Sequence, residues 1–217
     1  GKKKVFAGAL EWPGWCRFGK DEPKALDAFL TYGERYANVL KKVDIDVNVP
    51  QDSSELNIVE RHPGNASTDF GAPAAVLEAD QVPMDPAEFL RSRQILQACW
   101  EAFDAAVESA VGYVLKKGPR GGGRDLEKII QHVVEADRQY LMRMAISYKR
   151  AKGSSAQAEL PGIRSAIFQA LDTAERGELP KKGPRGGVIW LPRYFVRRAA
   201  WHVLDHAWEI EDRVLHN

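Results

Sequence analysis

From residue 85 onward the hydrophobic positions of this chain fall at helical spacing, whereas the first eighty residues mix short strand-like runs with one helical stretch. Asp85-Pro86-Ala87-Glu88 supplies an N-cap acceptor, a proline at the first helical position and a glutamate at the third, so a helix is predicted to begin near Pro86. Its apolar series Phe89, Leu96, Trp100, Phe103, Val107, Val111 and Val114 advances in steps of three, four and seven. That makes one buried stripe, running to the Gly118-Pro119 break. A second helix is predicted from about Asp125 to Tyr148, carrying Ile129, Val133, Ala136, Tyr140, Leu141 and Met144. A third fits Pro161 to Arg176, ended by Gly177, with Ile163, Ile167, Ala170, Leu171 and Ala174 inward. The fourth starts at Pro192, runs close to the C-terminus and is apolar nearly all round. Four such helices over residues 81–217 predict a bundle, a mainly α architecture in which facing helices assemble metal sites.

Residues 1–80 read as a small α/β segment. Val5 to Leu10 and Trp15 to Phe18 are short strand-like runs, and Pro23 opens an amphipathic helix carrying Leu26, Phe29, Leu30, Tyr36, Ala37 and Leu40. Val43 to Val49 and Leu56 to Glu60 are candidates for further strands. The opening WPGWCRFGKDEPKALDAF loosely resembles that of HicB-like α/β domains over about forty residues. The resemblance implies a β-α-β scaffold and brings no function with it.

Composition narrows the function classes. A chain of 217 residues, 44% hydrophobic and with six tryptophans, can bury a proper core. A net charge of +1 gives no global field toward nucleic acid or an anionic membrane, so nucleic acid is not the expected partner. No run is long enough to span a membrane, and GKKKVFAGAL has no signal-peptide pattern, so the expected compartment is the cytoplasm. Cys16 and Cys99 have neither metal-type spacing nor a disulfide framework and read as packing thiols.

The chemistry gathers on three histidines. His202 and His206 in AAWHVLDHAWEIED stand four apart, hence one turn apart on one helical face, and both imidazoles can reach one ion. His132 in IIQHVVEAD lies on another helix and is the candidate third ligand. Three protein ligands with an open position describe a catalytic rather than a structural zinc-type site. Buried imidazoles also need a hydrogen-bond partner or a metal, and a stacked pair is harder to satisfy in an apolar helix than one. Glu209 lies three residues after His206 on the same face and is the candidate base, fourth ligand or acceptor for a ligand's N–H. Glu135 and Asp205 are weaker candidates for the acceptor role. Trp201 and Trp208 read as core, and His62 and His216 as loop and tail.

Lys-Lys-Gly-Pro-Arg-Gly-Gly occurs twice, at Lys116 to Gly122 and at Lys181 to Gly187, each time before a histidine-bearing helix. One reading is a remnant of duplication, since His132-Val133-Val134-Glu135 echoes His202-Val203-Leu204-Asp205. Another is a pair of anion-binding loops using Arg120 and Arg185. Neither copy matches a phosphate-loop motif, which favours two solvent-exposed turns. Arg197 and Arg198 are further candidates for a substrate carboxylate.

At these residues the chain resembles the DinB/YfiT-like superfamily of metal-binding four-helix bundles, over roughly Met84 to Asn217. That family's pattern, a histidine on the second helix and H-x-x-x-H on the fourth, falls here on His132, His202 and His206. The stretches PRGGGRDLEKIIQHVVEADRQYL and RRAAWHVLDHAWEIEDR look like a branch in which an extra α/β segment precedes the bundle. The resemblance implies a three-histidine site for zinc or nickel, with iron and manganese as alternatives. It also implies chemistry on a small molecule such as a low-molecular-weight thiol, as in the family's thiol S-transferases and mycothiol-dependent isomerases. A related iron branch carries H-x-x-x-H-x-E; here Trp208 takes that position with Glu209 one residue later, which lowers the expectation of an oxygenase.

The sequence therefore predicts a metal-dependent enzyme of thiol-transferase or hydrolase type. The competing reading is a non-catalytic module with structural histidines that mediates homodimerisation or partner binding.

Overall fold

The computed structural model describes residues 1–117, 123–183 and 186–215, and its described part is mainly helical with a small two-stranded sheet at the N-terminus. Strands β1 (Val5–Gly8) and β2 (Cys16–Gly19) pair antiparallel, with Val5 opposite Gly19 and Gly8 opposite Cys16. Gly14, in their connection, has φ of 102°, and a Cβ there would stand 3.0 Å from Leu204 Cδ1. Glycine thus lets the hairpin turn lie directly on the last helix. Helix α1 (Glu22–Thr31) starts from Asp21, whose side chain accepts from the Lys24 N–H, and α2 (Gly33–Leu40) follows after a break at Tyr32. Both strands precede the helix, as their runs before Pro23 predict, and form a hairpin; the β-α-β scaffold is corrected, because no strand follows the helix among the described residues.

Val43 to Val49 and Leu56 to Glu60 are not strands, a second correction. Lys41–Val43 and Ser53–Glu55 are single 3-10 turns, and residues 56–65 run without regular structure. Short apolar runs form strands only where a ladder partner is available, and among the described residues β1 and β2 pair only with each other. A short helix α3 (Ala66–Phe70), capped by Asn65, closes this stretch.

Four longer helices follow. Helix α4 (Pro86–Ser109) carries the predicted capping box: Asp85 Oδ1 accepts from Glu88 N–H at 2.8 Å, and Glu88 Oε2 accepts from Asp85 N–H at 3.0 Å. It ends before Val111 and Val114, which are exposed, so the predicted stripe stops at Val107. Helix α5 (Leu126–Arg143) ends five residues earlier than predicted, and Ala145 beyond it takes a left-handed φ of 61°. Helix α6 (Ala156–Glu175) begins five residues before Pro161. Ser155 caps its first turn, Ala156 and Leu160 are buried, and Glu159 accepts from Tyr148 O–H at 2.8 Å and Ala151 N–H at 3.2 Å. These contacts hold the first turn and a half although Pro161 can donate no N–H to the Gln157 carbonyl. Helix α7 (Pro192–Arg213) has Pro192 at its first position, as predicted.

Helix α4 packs chiefly against α7, α5 packs against α6 and α7, and α6 also touches α4. The hydrophobic core is continuous across residue 80: Trp15, Phe29, Tyr36 and Leu40 belong to the same buried cluster as Phe103, Phe195 and Trp208. No described helix is long and apolar enough to cross a membrane.

Candidate metal centre

Helix α7 is enclosed on nearly every side, with Tyr194, Phe195, Val196, Ala199, Ala200, Val203, Leu204, Ala207, Trp208 and Ile210 all buried. His202 and His206 share this burial, at 6% and 8% exposure, and face α5, where half-buried His132 meets them. His132 Nε2 lies 3.2 Å from His202 Nε2, and one nitrogen from each ring falls within 4.8 Å of the other two. Ring centroids are 5.0 Å apart for His132 and His202, 4.9 Å for His132 and His206, and 4.7 Å for His202 and His206. The helical repeat brings the pair on α7 together, and the packing of α5 on α7 adds the third ring.

The donor set fits a divalent transition metal. Two imidazoles bound tetrahedrally at about 2.0–2.1 Å place their nitrogens about 3.3 Å apart, a spacing that the His132–His202 pair meets at 3.2 Å, while the three nitrogens together span up to 4.8 Å. Ligand imidazoles must be neutral, and the surroundings enforce that for two of the three. Burial, then the neighbouring His206 and Arg124, depresses His132 to about 4. Burial, then His206, His132, Arg198 and Arg124, holds His202 well below 6.5.

Behind the rings, Glu209 Oε2 accepts from His206 Nδ1 at 2.8 Å, and Glu209 Oε1 accepts from Arg213 Nη1. Burial raises the Glu209 carboxyl, but hydrogen bonds from His206 and Arg213 outweigh it and leave its pKa below the usual carboxylate range. An ionised acceptor on Nδ1 fixes the tautomer that leaves Nε2 free as a ligand atom. Arg213 is fixed in turn, donating through Nε to the Lys116 carbonyl and through Nη2 to the Arg124 carbonyl, both at 2.8 Å. Gly123 leaves space for that guanidinium: its φ is 138°, and a Cβ there would meet Arg213 Nη2 at 2.6 Å. His202 lacks an equivalent, since its buried Nδ1 has no hydrogen-bond partner among the described residues.

Around His202 stand the Tyr140 ring, 5.8 Å away, and the Trp201 ring, 5.9 Å away. Arg198, also buried, donates to the Tyr140 hydroxyl at 3.2 Å and the Pro73 carbonyl at 3.0 Å.

Of the sequence candidates, His132, His202, His206 and Glu209 come together. Asp205 instead pairs with Arg17 at 2.8 Å, and Glu135 with Arg138 and Gln139 on the exposed face of α5. Arg197 is bound to Asp80, and His62 to Glu60. Arg120, Arg185 and His216 lie outside the described residues, as does the Gly118-Pro119 break. Trp201 and Trp208 are buried, as expected. Cys99 is buried and Cys16 half-buried, and burial pushes the Cys16 thiol up to about 12. Arg213 was not among the candidates, although its signal is in the sequence: His202, His206, Glu209 and Arg213 follow spacings of four, three and four, one stripe of α7. A cavity lies elsewhere, in residues 1–77 and against Arg197, and none of the three histidines lines it.

Comparison with protein-family models, with curated proteins and with solved structures gives no match to this chain.

Proposed function

We propose that residues 84–217 form a DinB-like four-helix bundle whose His132, His202 and His206 hold one divalent transition metal for chemistry on a small molecule. Zinc or nickel is the first choice of ion, with iron and manganese as alternatives, because three imidazoles follow the general divalent series and discriminate little. The observation that carries this reading is the convergence of three imidazole nitrogens within 4.8 Å, two of the rings held neutral by burial. When bound, such an ion supplies Lewis acidity and lowers the pKa of a coordinated water or thiol, the chemistry of hydrolytic and thiol-transfer reactions.

The chain's own residues have separable roles. His132 is the least buried of the three rings, so a small molecule approaches from its side. Glu209 has both oxygens engaged, which favours orienting His206 over acting as a base or fourth ligand. Arg213 positions Glu209 from the bases of the flanking loop, at the Lys116 and Arg124 carbonyls.

Elemental analysis of untagged protein purified without chelator, beside a His202→Ala/His206→Ala variant shown by circular dichroism to be folded, tests the site. About one transition metal per chain in the wild type and none in the variant is the expected result. A wild type that is metal-free and takes up none of the four ions would end this reading.

The burial of His202 and His206 favours a second reading, in which the ion only ties α5 to α7. Cobalt-substituted protein separates the two: a thiolate-to-cobalt charge-transfer band on adding 2-mercaptoethanol requires an open coordination position, and its absence favours the structural role.

A further inference from the structure

A cavity of about 710 Å³ opens between the hairpin, α1 and residues 48–77, within the span of about 300–1,000 Å³ typical of small-molecule sites. Its walls are apolar and aromatic, with Phe6, Leu10, Trp12, Leu26, Leu56 and Ile58 among them. Residues 56–60, which the sequence marks as a strand, instead form one side of the cavity without joining the sheet. Strand β1, which also lines it, has a strand neighbour on one side only among the described residues, so backbone donors and acceptors remain along its other edge.

The charges on the lining decide what can enter. Arg61 makes a two-bond pair with Glu22, at 3.0 and 2.9 Å. His62 is bound to Glu60 at 2.6 Å, and Arg197 Nε donates to Asp80 at 2.9 Å. Each lining arginine and histidine thus already has a carboxylate. Of the lining carboxylates, Glu22 and Glu60 are members of those pairs and Glu11 is exposed to water. An anionic ligand would lose hydration without gaining a free side-chain cation, and a cationic one would find only the water-exposed Glu11, where a pair is screened and worth little, whereas an apolar one gains from aromatic walls.

We infer that this cavity is a binding site for an uncharged, mainly apolar small molecule whose few polar atoms hydrogen-bond to the backbone around β1. The site is separate from the metal centre and does not rest on the metal reading.

The test is fluorescence titration of the full chain with the neutral probe N-phenyl-1-naphthylamine. Saturable binding of one probe per chain is expected, weakened at least tenfold by Ala75→Trp or by Ile58→Trp, two substitutions that fill the cavity from different segments. Ile58 is 38% exposed and tolerates replacement should Ala75→Trp fail to fold. Phe70→Ser, at a side chain 91% exposed and off the lining, and His202→Ala/His206→Ala should leave binding unchanged. Methyl 1-naphthoate should displace the probe at least tenfold better than the 1-naphthoate anion. Absence of saturable binding, binding that survives both filling variants, loss in Phe70→Ser, or equal competition by anion and ester would each overturn the inference. Displacement by a blocked apolar pentapeptide but not by the ester would overturn it in favour of peptide addition to β1.

Discussion

The two parts of this molecule use their polar side chains in opposite ways. In residues 1–85 the carboxylates serve backbone amides that have no ladder or helix partner. Asp69 accepts from the N–H groups of Lys2, Lys3 and Lys4, Glu60 from those of Glu78 and Ala79, and Asp80 from that of Leu77. In the four long helices the backbone satisfies itself beyond the first turns that Asp85, Asp125 and Ser155 cap, so most polar side chains are available for other purposes. There Ser92, Asp137, Glu159, Arg198, His202 and His206 are the buried polar residues among those described, and three of the six lie at or beside the metal centre. Irregular backbone consumes polar groups, and regular backbone leaves them for a site.

The sharpest way to break this contrast is at Asp80, where the two parts meet. Its carboxylate, 2% exposed, accepts both from Leu77 N–H and from Arg197 on α7. Asp80→Ala leaves a half-buried guanidinium without its partner and is expected to cost about 3–5 kcal/mol in urea unfolding. A loss below about 1 kcal/mol would show that the irregular segment is not anchored through this pair.

Asp137 on α5 sharpens the comparison from the helical side. Burial raises its carboxyl from the ordinary 3.8 to about 7, with Arg164 opposing the rise. Since the folded pKa is the higher, the folded chain holds the extra proton between these values. The contribution of Asp137 to stability is therefore greatest below about pH 4, falls as pH rises toward 7, and is flat above. Asp137→Asn removes this slope, so its stability relative to wild type should improve by a few kcal/mol, in order of magnitude, between pH 4.5 and pH 8. A difference independent of pH would mean that the ionised carboxylate is already compensated inside the fold.

Glu209→Gln should weaken metal affinity about 10–100-fold, or about 1.4–2.7 kcal/mol, because a neutral amide holds His206 less firmly. Competition with a chelator measures it. Unchanged affinity would show that Glu209 and Arg213 form only a helix-surface pair. At the small end, Arg61→Ala removes an exposed pair from the N-terminal part, and the melting temperature should stay within error of wild type.

Local signals in the sequence were followed closely where they concerned one element. Asp85 and Glu88 start α4, Pro192 starts α7, and the i, i+4 spacing of His202 and His206 brings their rings together edge to face. These outcomes need only the geometry of a single helix, where each contact lies within one turn of its partner. Pro161 misled because a proline can sit a turn and a half into a helix when Ser155 and Glu159 hold the turn before it. Val111, Val114 and residues 56–60 misled because apolar spacing says which face would be buried but not whether a neighbour is there to bury it.

By itself, then, the sequence determined the four long helices, the histidine pair on α7 and the placing of Glu209 on the same stripe, all of them short-range consequences of the helical repeat. Only the tertiary structure decided that His132 reaches that pair, that Arg213 locks Glu209 to the Lys116 and Arg124 carbonyls, and that the missing third strand leaves a cavity beside β1. Each joins residues tens of positions apart, whose meeting depends on how helices and loops pack rather than on any local preference.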